Sequence, residues 1–202
     1  IEEGIHAGYP KGAGAVLLIE LDGPAAEIEA QAVPIEAICR DHLALEIRVA
    51  RSEAERALLC KGRKEAAGVF GRLTPNWLLQ DAVVPRSRLP EIMRELQAIG
   101  ARHGVVIANV FHAGDGNLHP LICYDDRKPG DLERAKHANE DLLHACLRLG
   151  GSVTGEHGVG LDKCESLPLQ FAEGDLNFMA RLRRAFDPDS IMNPGKLLPS
   201  HP

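Results

Sequence analysis

Aromatic side chains are scarce in this 202-residue chain, at 4% of positions. Stacking platforms for single-stranded nucleic acid depend on such side chains, so that function class is disfavoured. An excess of basic charge is missing too. Lys and Arg number 23 against 29 Asp and Glu, a net charge of −6 with neutral His. That balance speaks against binding a phosphate backbone. No apolar run approaches the roughly 18 residues of a transmembrane helix. Residues 1–20 lack the basic segment followed by an apolar core that marks a secretory signal. The five cysteines, at positions 39, 60, 123, 146 and 164, are odd in number, and no two stand at C-x-x-C spacing. They read as reduced thiols of a cytosolic protein. No repeat of 20–50 residues is visible.

What remains is ordinary for a globular domain: 45% apolar and 26% charged residues, in a length that suits one large domain or two small ones. The first residue is Ile rather than Met, which reads as processing or as the cut edge of something longer.

Periodicity divides the chain as follows. Residues 15–21 (AVLLIEL) form a short apolar run and are predicted to be a buried strand. Asp22-Gly23-Pro24 is a turn into a helix over about 24–42, with Ile28, Ala32, Ile35 and Ile38 near helical spacing. Residues 45–50 alternate and predict a second strand. Ser52 with Glu55 three positions on is a capping-box signature for a helix running toward Ala66. Gly, Pro and Trp77 interrupt any period over 68–90, which reads as a long ordered loop. A helix is predicted over 89–103 with Ile92, Leu96 and Ile99 on one face, and strands over 105–111 and 118–124. A long helix follows over 131–149, ending at Gly150-Gly151. Residues 152–160 are irregular, 176–185 helical, and the tail is rich in Pro and Gly. The expected class is α+β: an antiparallel sheet with helices on one face in the split βαβ style, plus a C-terminal helical return segment.

The segment His112-Ala-Gly-Asp-Gly-Asn-Leu-His119 carries the most chemistry. Asp-Gly between apolar strands is a strong hairpin signal. A turn centred between Asp115 and Gly116 sets His112 directly opposite His119, with Cβ atoms about 5 Å apart on one face. Two such imidazoles can share a metal ion, or simply line a polar hairpin. Gly155-Glu156-His157-Gly158-Val159-Gly160 adds a carboxylate and an imidazole on adjacent residues. Glu156 can complete a His-His-carboxylate set while His157 faces a substrate; an exposed turn is the plainer alternative. Such a set with an open position suits Zn²⁺, Fe²⁺ or Mn²⁺, and a cation beside a hydroxyl eases loss of its proton to a nearby imidazole. Within Lys61-Gly62-Arg63-Lys64, one guanidinium could clamp a carboxylate, or the cluster could be a solvated helix face.

Four blocks resemble the C-terminal half of the FAD-linked oxidases related to vanillyl-alcohol oxidase, in the branch that oxidises glycolate and D-lactate. They are Gly62-Arg-Lys-Glu-Ala66, Asn109 through Pro120, Gly151 through Gly160, and Phe186-Asp-Pro-Asp-Ser-Ile-Met-Asn-Pro-Gly-Lys196. The resemblance implies His112, His119 and Glu156 as ligands of a divalent metal, His157 as the base and Arg63 as the grip on the substrate carboxylate. It also implies that Asn193 lies where the chain returns to the flavin domain. Some relatives place a substrate-binding Lys two residues before the aspartate that matches Asp81. Leu79 stands there instead, which speaks against a dicarboxylic substrate and for a small or apolar hydroxy acid.

The resemblance further implies FAD held mainly by an N-terminal domain that nothing in these 202 residues resembles. Residues 1–150 are then expected to be the substrate-binding cap. Residues 151–202 are the metal and base loop plus a segment that packs on the flavin domain. Further expected partners are other oxidase subunits, including an iron–sulfur electron acceptor, in the cytoplasm or peripherally at the inner membrane. Two other readings are a stand-alone His-His-Glu metal hydrolase or oxygenase and a non-enzymatic α+β binding domain.

Overall fold

A computed structural model describes residues 6, 8–10, 12–71 and 74–199. The chain divides into two compact units, Ile1–Arg72 and Leu73–Pro202.

The N-terminal unit is built on two helices, α1 (Ala25–Asp41) and α2 (Glu53–Phe70). Ser52 caps α2 as its sequence predicts: its hydroxyl accepts from the Glu55 amide at 3.2 Å. The return bond of the capping box goes one residue earlier than expected, from the Arg51 amide to Glu55 at 2.6 Å. The helix runs four residues past Ala66, to Phe70. α1 spans the predicted stretch, but none of its residues is buried. The two strands expected here do not form. Residues 15–21 and 45–50 enter no ladder, and Leu17 and Leu45 are 65% and 85% exposed. β-propensity records how well a side chain suits a pleated, half-buried surface, and an apolar run without a ladder partner has no such surface to join.

The C-terminal unit is an antiparallel sheet with helices on one face, the α+β class expected. Its strands are β1 (Asn76–Leu79), β2 (Ala82–Val83), β3 (Ile107–His112) and β4 (Asn117–Tyr124). β4 is central, pairing β3 along one edge and β1 and β2 along the other. Within the loop predicted over 68–90, two short strands form, at Asn76–Leu79 and Ala82–Val83. β1 and β2 keep a single register against β4, interrupted opposite Pro120. The Gln80 amide donates to the Pro120 carbonyl at 3.0 Å, and proline has no N–H to return.

Helices α3 (Leu89–His103) and α4 (Asp131–Arg148) cover one face, and α5 (Glu173–Phe186) follows a 3-10 turn at Cys164–Leu169. Ile92, Leu96 and Ile99 of α3 are buried on the face that their spacing picked out. They join Leu118 and Ile122 of β4 and Leu142, Leu143 and Cys146 of α4 in one core. Burial in a close-packed interior is what holds this layer together. Gly150, at φ +80°, ends α4 in the left-handed region, as the Gly-Gly pair predicts. Among the described residues no helix is long and apolar enough to cross a membrane.

Ile122 is fully buried at the centre of this core. Ile122→Ala is expected to destabilise the unit by about 2–5 kcal/mol, read from urea denaturation of the variant against the parent chain.

Candidate functional site

The β3–β4 turn decides where the two hairpin histidines go. The expected register, with His112 directly opposite His119, is not the one formed. The turn is wider: residues 113–116 make the reversal, His112 pairs with Asn117, and His119 pairs with Val110. The amides of Asp115 and Gly116 both donate to the His112 carbonyl, at 3.1 and 3.0 Å. Gly116 has φ +78°, and a Cβ there would collide with the Val84 carbonyl oxygen, so the turn is closed by a residue that must be glycine. The shift is two residues, and side chains alternate with period two, so both histidines stay on one face. Their rings lie edge to face, 5.5 Å apart.

The same face receives the glycine-punctuated loop. Ser152 forms an antiparallel bridge with Val83, at the outer edge of β2. The chain then turns so that Glu156 reaches the histidines. Its Oε1 is 2.9 Å from His119 Nε2, 3.7 Å from His157 Nε2 and 3.9 Å from His112 Nε2. The His157 ring stacks on that of His119 with centroids 5.1 Å apart and planes 12° from parallel. Three imidazoles thus surround one carboxylate oxygen. His119 is the sheltered member, with its side chain 13% exposed, while His112, Glu156 and His157 are about half exposed.

Underneath lies Asp81, which the shared β1–β2 register sets opposite His119. It is 1% exposed. Its carboxylate accepts from the amides of Gly155 at 3.0 Å, Glu156 at 3.0 Å and His157 at 2.9 Å, and from the Thr154 hydroxyl at 2.9 Å. Lys163 Nζ, also buried, donates to the Asp81 carbonyl at 2.7 Å and stands 3.3 Å from its carboxylate. Burial alone would push the Asp81 carboxyl up. The His157 and Glu156 amides, the Thr154 hydroxyl and the Lys163 ammonium outweigh it and hold the group below its ordinary range. For Lys163 burial dominates and lowers its pKa, against the opposing pull of Asp81. His119 is likewise lowered, first by burial, which favours the neutral imidazole that ligates metals.

Asp81 and Lys163 were not among the candidate residues from sequence. Gln80-Asp81-Ala82-Val83-Val84 offered one signal, a carboxylate flanked by strand-forming residues. Nothing near Lys163 marked it.

The donor chemistry fits a divalent cation. One ligating atom each from Asp81, His119, Glu156 and His157 lies within 4.8 Å of the others, and His112 shares the same Glu156 oxygen. The two remaining candidates are Arg63 and Asn193. Arg63 is in α2 of the N-terminal unit. Asn193, at φ +48°, sits in the C-terminal tail, where the Arg183 guanidinium donates to the carbonyls of Met192, Asn193 and Lys196. Asn193 lines an open groove of about 570 Å³ with Met179, Leu182, Phe186, Met192 and Leu197.

Comparisons of the whole chain with known proteins point to one class, domains of flavin-linked oxidases. The family "FAD linked oxidases, C-terminal domain" matches residues 2–197, and the chain belongs to that family. The chain is 39% identical over 199 residues to the glycolate oxidase subunit GlcD of Escherichia coli K12, covering 98% of this chain and 40% of that protein. It is 39% identical over 197 residues to GlcD of Bacillus subtilis, covering 98% and 42%. To the mitochondrial cytochrome D-lactate dehydrogenase of Arabidopsis thaliana it is 31% identical over 187 residues, covering 92% and 33%. The chain therefore spans about two fifths or less of these relatives. Among solved structures, 4-ethylphenol oxidase from Gulosibacter chungangensis, in complex with isoeugenol, superposes with a TM-score of 0.57 at 18% identity. That match covers 88% of this chain and 38% of the other, and it establishes a shared fold.

Two outcomes test this geometry. A Cβ at Gly155 would collide with Asn117 Oδ1 and stand 2.9 Å from Asp81 Oδ1. Gly155→Ala is expected to displace the loop and lower the denaturation midpoint, whereas Gly174→Ala, with open space around it, is expected to leave the loop in place. The second outcome is acid sensitivity. A carboxyl depressed in the folded state adds stability that is fully present above its unfolded value of about 4. That stability is lost as pH falls through the folded value. The stability gap between the parent chain and Asp81→Asn should therefore hold at pH 5–7 and shrink below about pH 4, read from urea midpoints across that range.

Proposed function

We propose that this chain is the substrate- and metal-binding part of an FAD-dependent 2-hydroxy-acid dehydrogenase of the glycolate or D-lactate type. The observation that carries the reading is the convergence of His112, His119 and His157 on one oxygen of Glu156 in a member of the FAD-linked oxidase family. In this reading His112, His119 and Glu156 hold a Zn²⁺, Fe²⁺ or Mn²⁺ ion, His157 is the general base, and Arg63 binds the substrate carboxylate. Flavin would supply the acceptor for hydride from the substrate Cα, and the divalent ion a positive charge beside the substrate hydroxyl.

The chain's own groups do the rest. The Glu156 carboxylate orients the His119 ring from one side, and the stacked His157 ring confines it from the other. The half-exposed imidazole of His157 is the group that accepts the hydroxyl proton in this reading. Leu79 projects from the same sheet face as Asp81 and His119 and is half exposed. It presents no cation to a second carboxylate, which supports a monocarboxylic substrate.

Residues 151–202 are proposed to pack on an FAD-binding domain. Phe178, Phe186, Ile191 and Met192 leave an apolar surface there, and Asn193 stands at its groove. Both bacterial relatives are named as subunits, which supports further partners such as an iron–sulfur electron acceptor. A cytoplasmic site, peripherally at the inner membrane, belongs to the same proposal.

The test joins the chain to an FAD-binding domain of a 39%-identical relative and follows reduction of a dye by glycolate and by D-lactate. His157→Asn is expected to lower kcat about 10²- to 10⁴-fold, and chelation to abolish turnover until Zn²⁺ or Mn²⁺ is restored. Chelator-resistant activity, or full activity of His112→Ala and His119→Ala, would count decisively against the metal assignment.

A further inference from the structure

Spacing alone admits Asp81 as a fourth ligand, because its carboxylate lies within 4.8 Å of ligating atoms of His119, Glu156 and His157. Its hydrogen bonds decide otherwise. Oδ1 accepts from the Glu156 amide, and Oδ2 from the Thr154 hydroxyl, the Gly155 and His157 amides and Lys163 Nζ. A carboxylate offers about two acceptor sites on each oxygen; the four donors on Oδ2 use up its share, while Oδ1 holds the Glu156 amide. Each donor also turns its positive end toward the oxygens, so a cation approaching them would meet N–H groups. Three successive amides aimed at one anion make a concavity of the kind that fixes backbone conformation. Glu156 and His157, the two side chains of the loop that reach His119, hang from two of those amides.

We infer that Asp81 is the positioning residue of this site: it holds the backbone of residues 154–157 so that Glu156 and His157 face His119, and it does not itself ligate the ion. Lys163 offsets its buried charge from below. The inference rests on the divalent-metal reading only for its consequence on affinity; the control of the loop stands without it.

The test uses the full chain and two readouts. Amide hydrogen exchange is measured at Gly155, Glu156 and His157, and Co²⁺ binding is followed by its visible absorption. In Asp81→Asn an amide NH₂ replaces one acceptor and faces the N–H donors. Exchange at the three amides is expected to rise at least tenfold, and by more than at the core amides of α3, α4 and β4, which follow the lower global stability. Co²⁺ affinity is expected to fall about 10- to 100-fold, the range seen when groups orienting metal ligands are removed. The absorption bands of any complex that still forms should keep the intensity and position of the parent, since no ligand is lost. Thr154→Val removes a single donor and should give a smaller change in the same direction; it decides the matter if Asp81→Asn does not fold. Parent-like exchange in the loop of a folded Asp81→Asn chain overturns the proposal, as does a Co²⁺ spectrum that loses a ligand. A parent chain that binds no Co²⁺ sinks the metal reading instead, and loop exchange then decides the role of Asp81 alone.

Discussion

A carboxylate buried without partners costs several kcal/mol, so its neighbours must be arranged around it. Asp81 is that carboxylate here, and its partners are mostly backbone. The requirement to satisfy it dictates the path of residues 154–157, which would otherwise be an unconstrained glycine-rich loop. From that path follow the reach of Glu156 to the hairpin histidines and the stacking of His157 on His119. Lys163, 82 positions later in the chain, closes the arrangement from the loop's far end. The cluster on the sheet face therefore depends on a group that lies beneath it.

The sheet supplies the second constraint. Pro120 in a central strand removes one donor, and the ladder to the outer strand breaks at that point. Gln80 and Asp81 occupy the gap. The main chain of Asp81 is left to bond outward, and its carbonyl takes the Gly155 amide and the Lys163 ammonium. A residue that weakens the sheet by one hydrogen bond thus opens the place where the loop attaches.

Much of the C-terminal unit was legible in its residues, because local patterns there agree with long-range packing. The face of α3, the extent of α4, the Gly150 stop and the two long strands all follow from period and punctuation. The histidine pairing was legible in outcome and wrong in detail: an Asp-Gly dipeptide suggests a two-residue turn, whereas four residues make the reversal. Parity rescued the conclusion, since an even shift keeps every side chain on its face. Residues 15–21 and 45–50 mark the opposite case. Their composition suits strands, but strand formation needs a partner that local sequence does not encode. Asp81 and Lys163 were hidden for a related reason. Their pairing joins distant positions through backbone atoms, which have no sequence signature.

The bridge between Val83 and Ser152 has one more consequence. An exposed strand edge is a template on which another chain can add itself, and proteins protect such edges by covering them. Here the cover is the segment that leads into the Glu156–His157 loop. Any change that frees this loop uncovers unpaired backbone at the rim of the sheet, so damage to the site and exposure to self-association arrive together. A variant that loses its chemistry this way would also be harder to keep in solution.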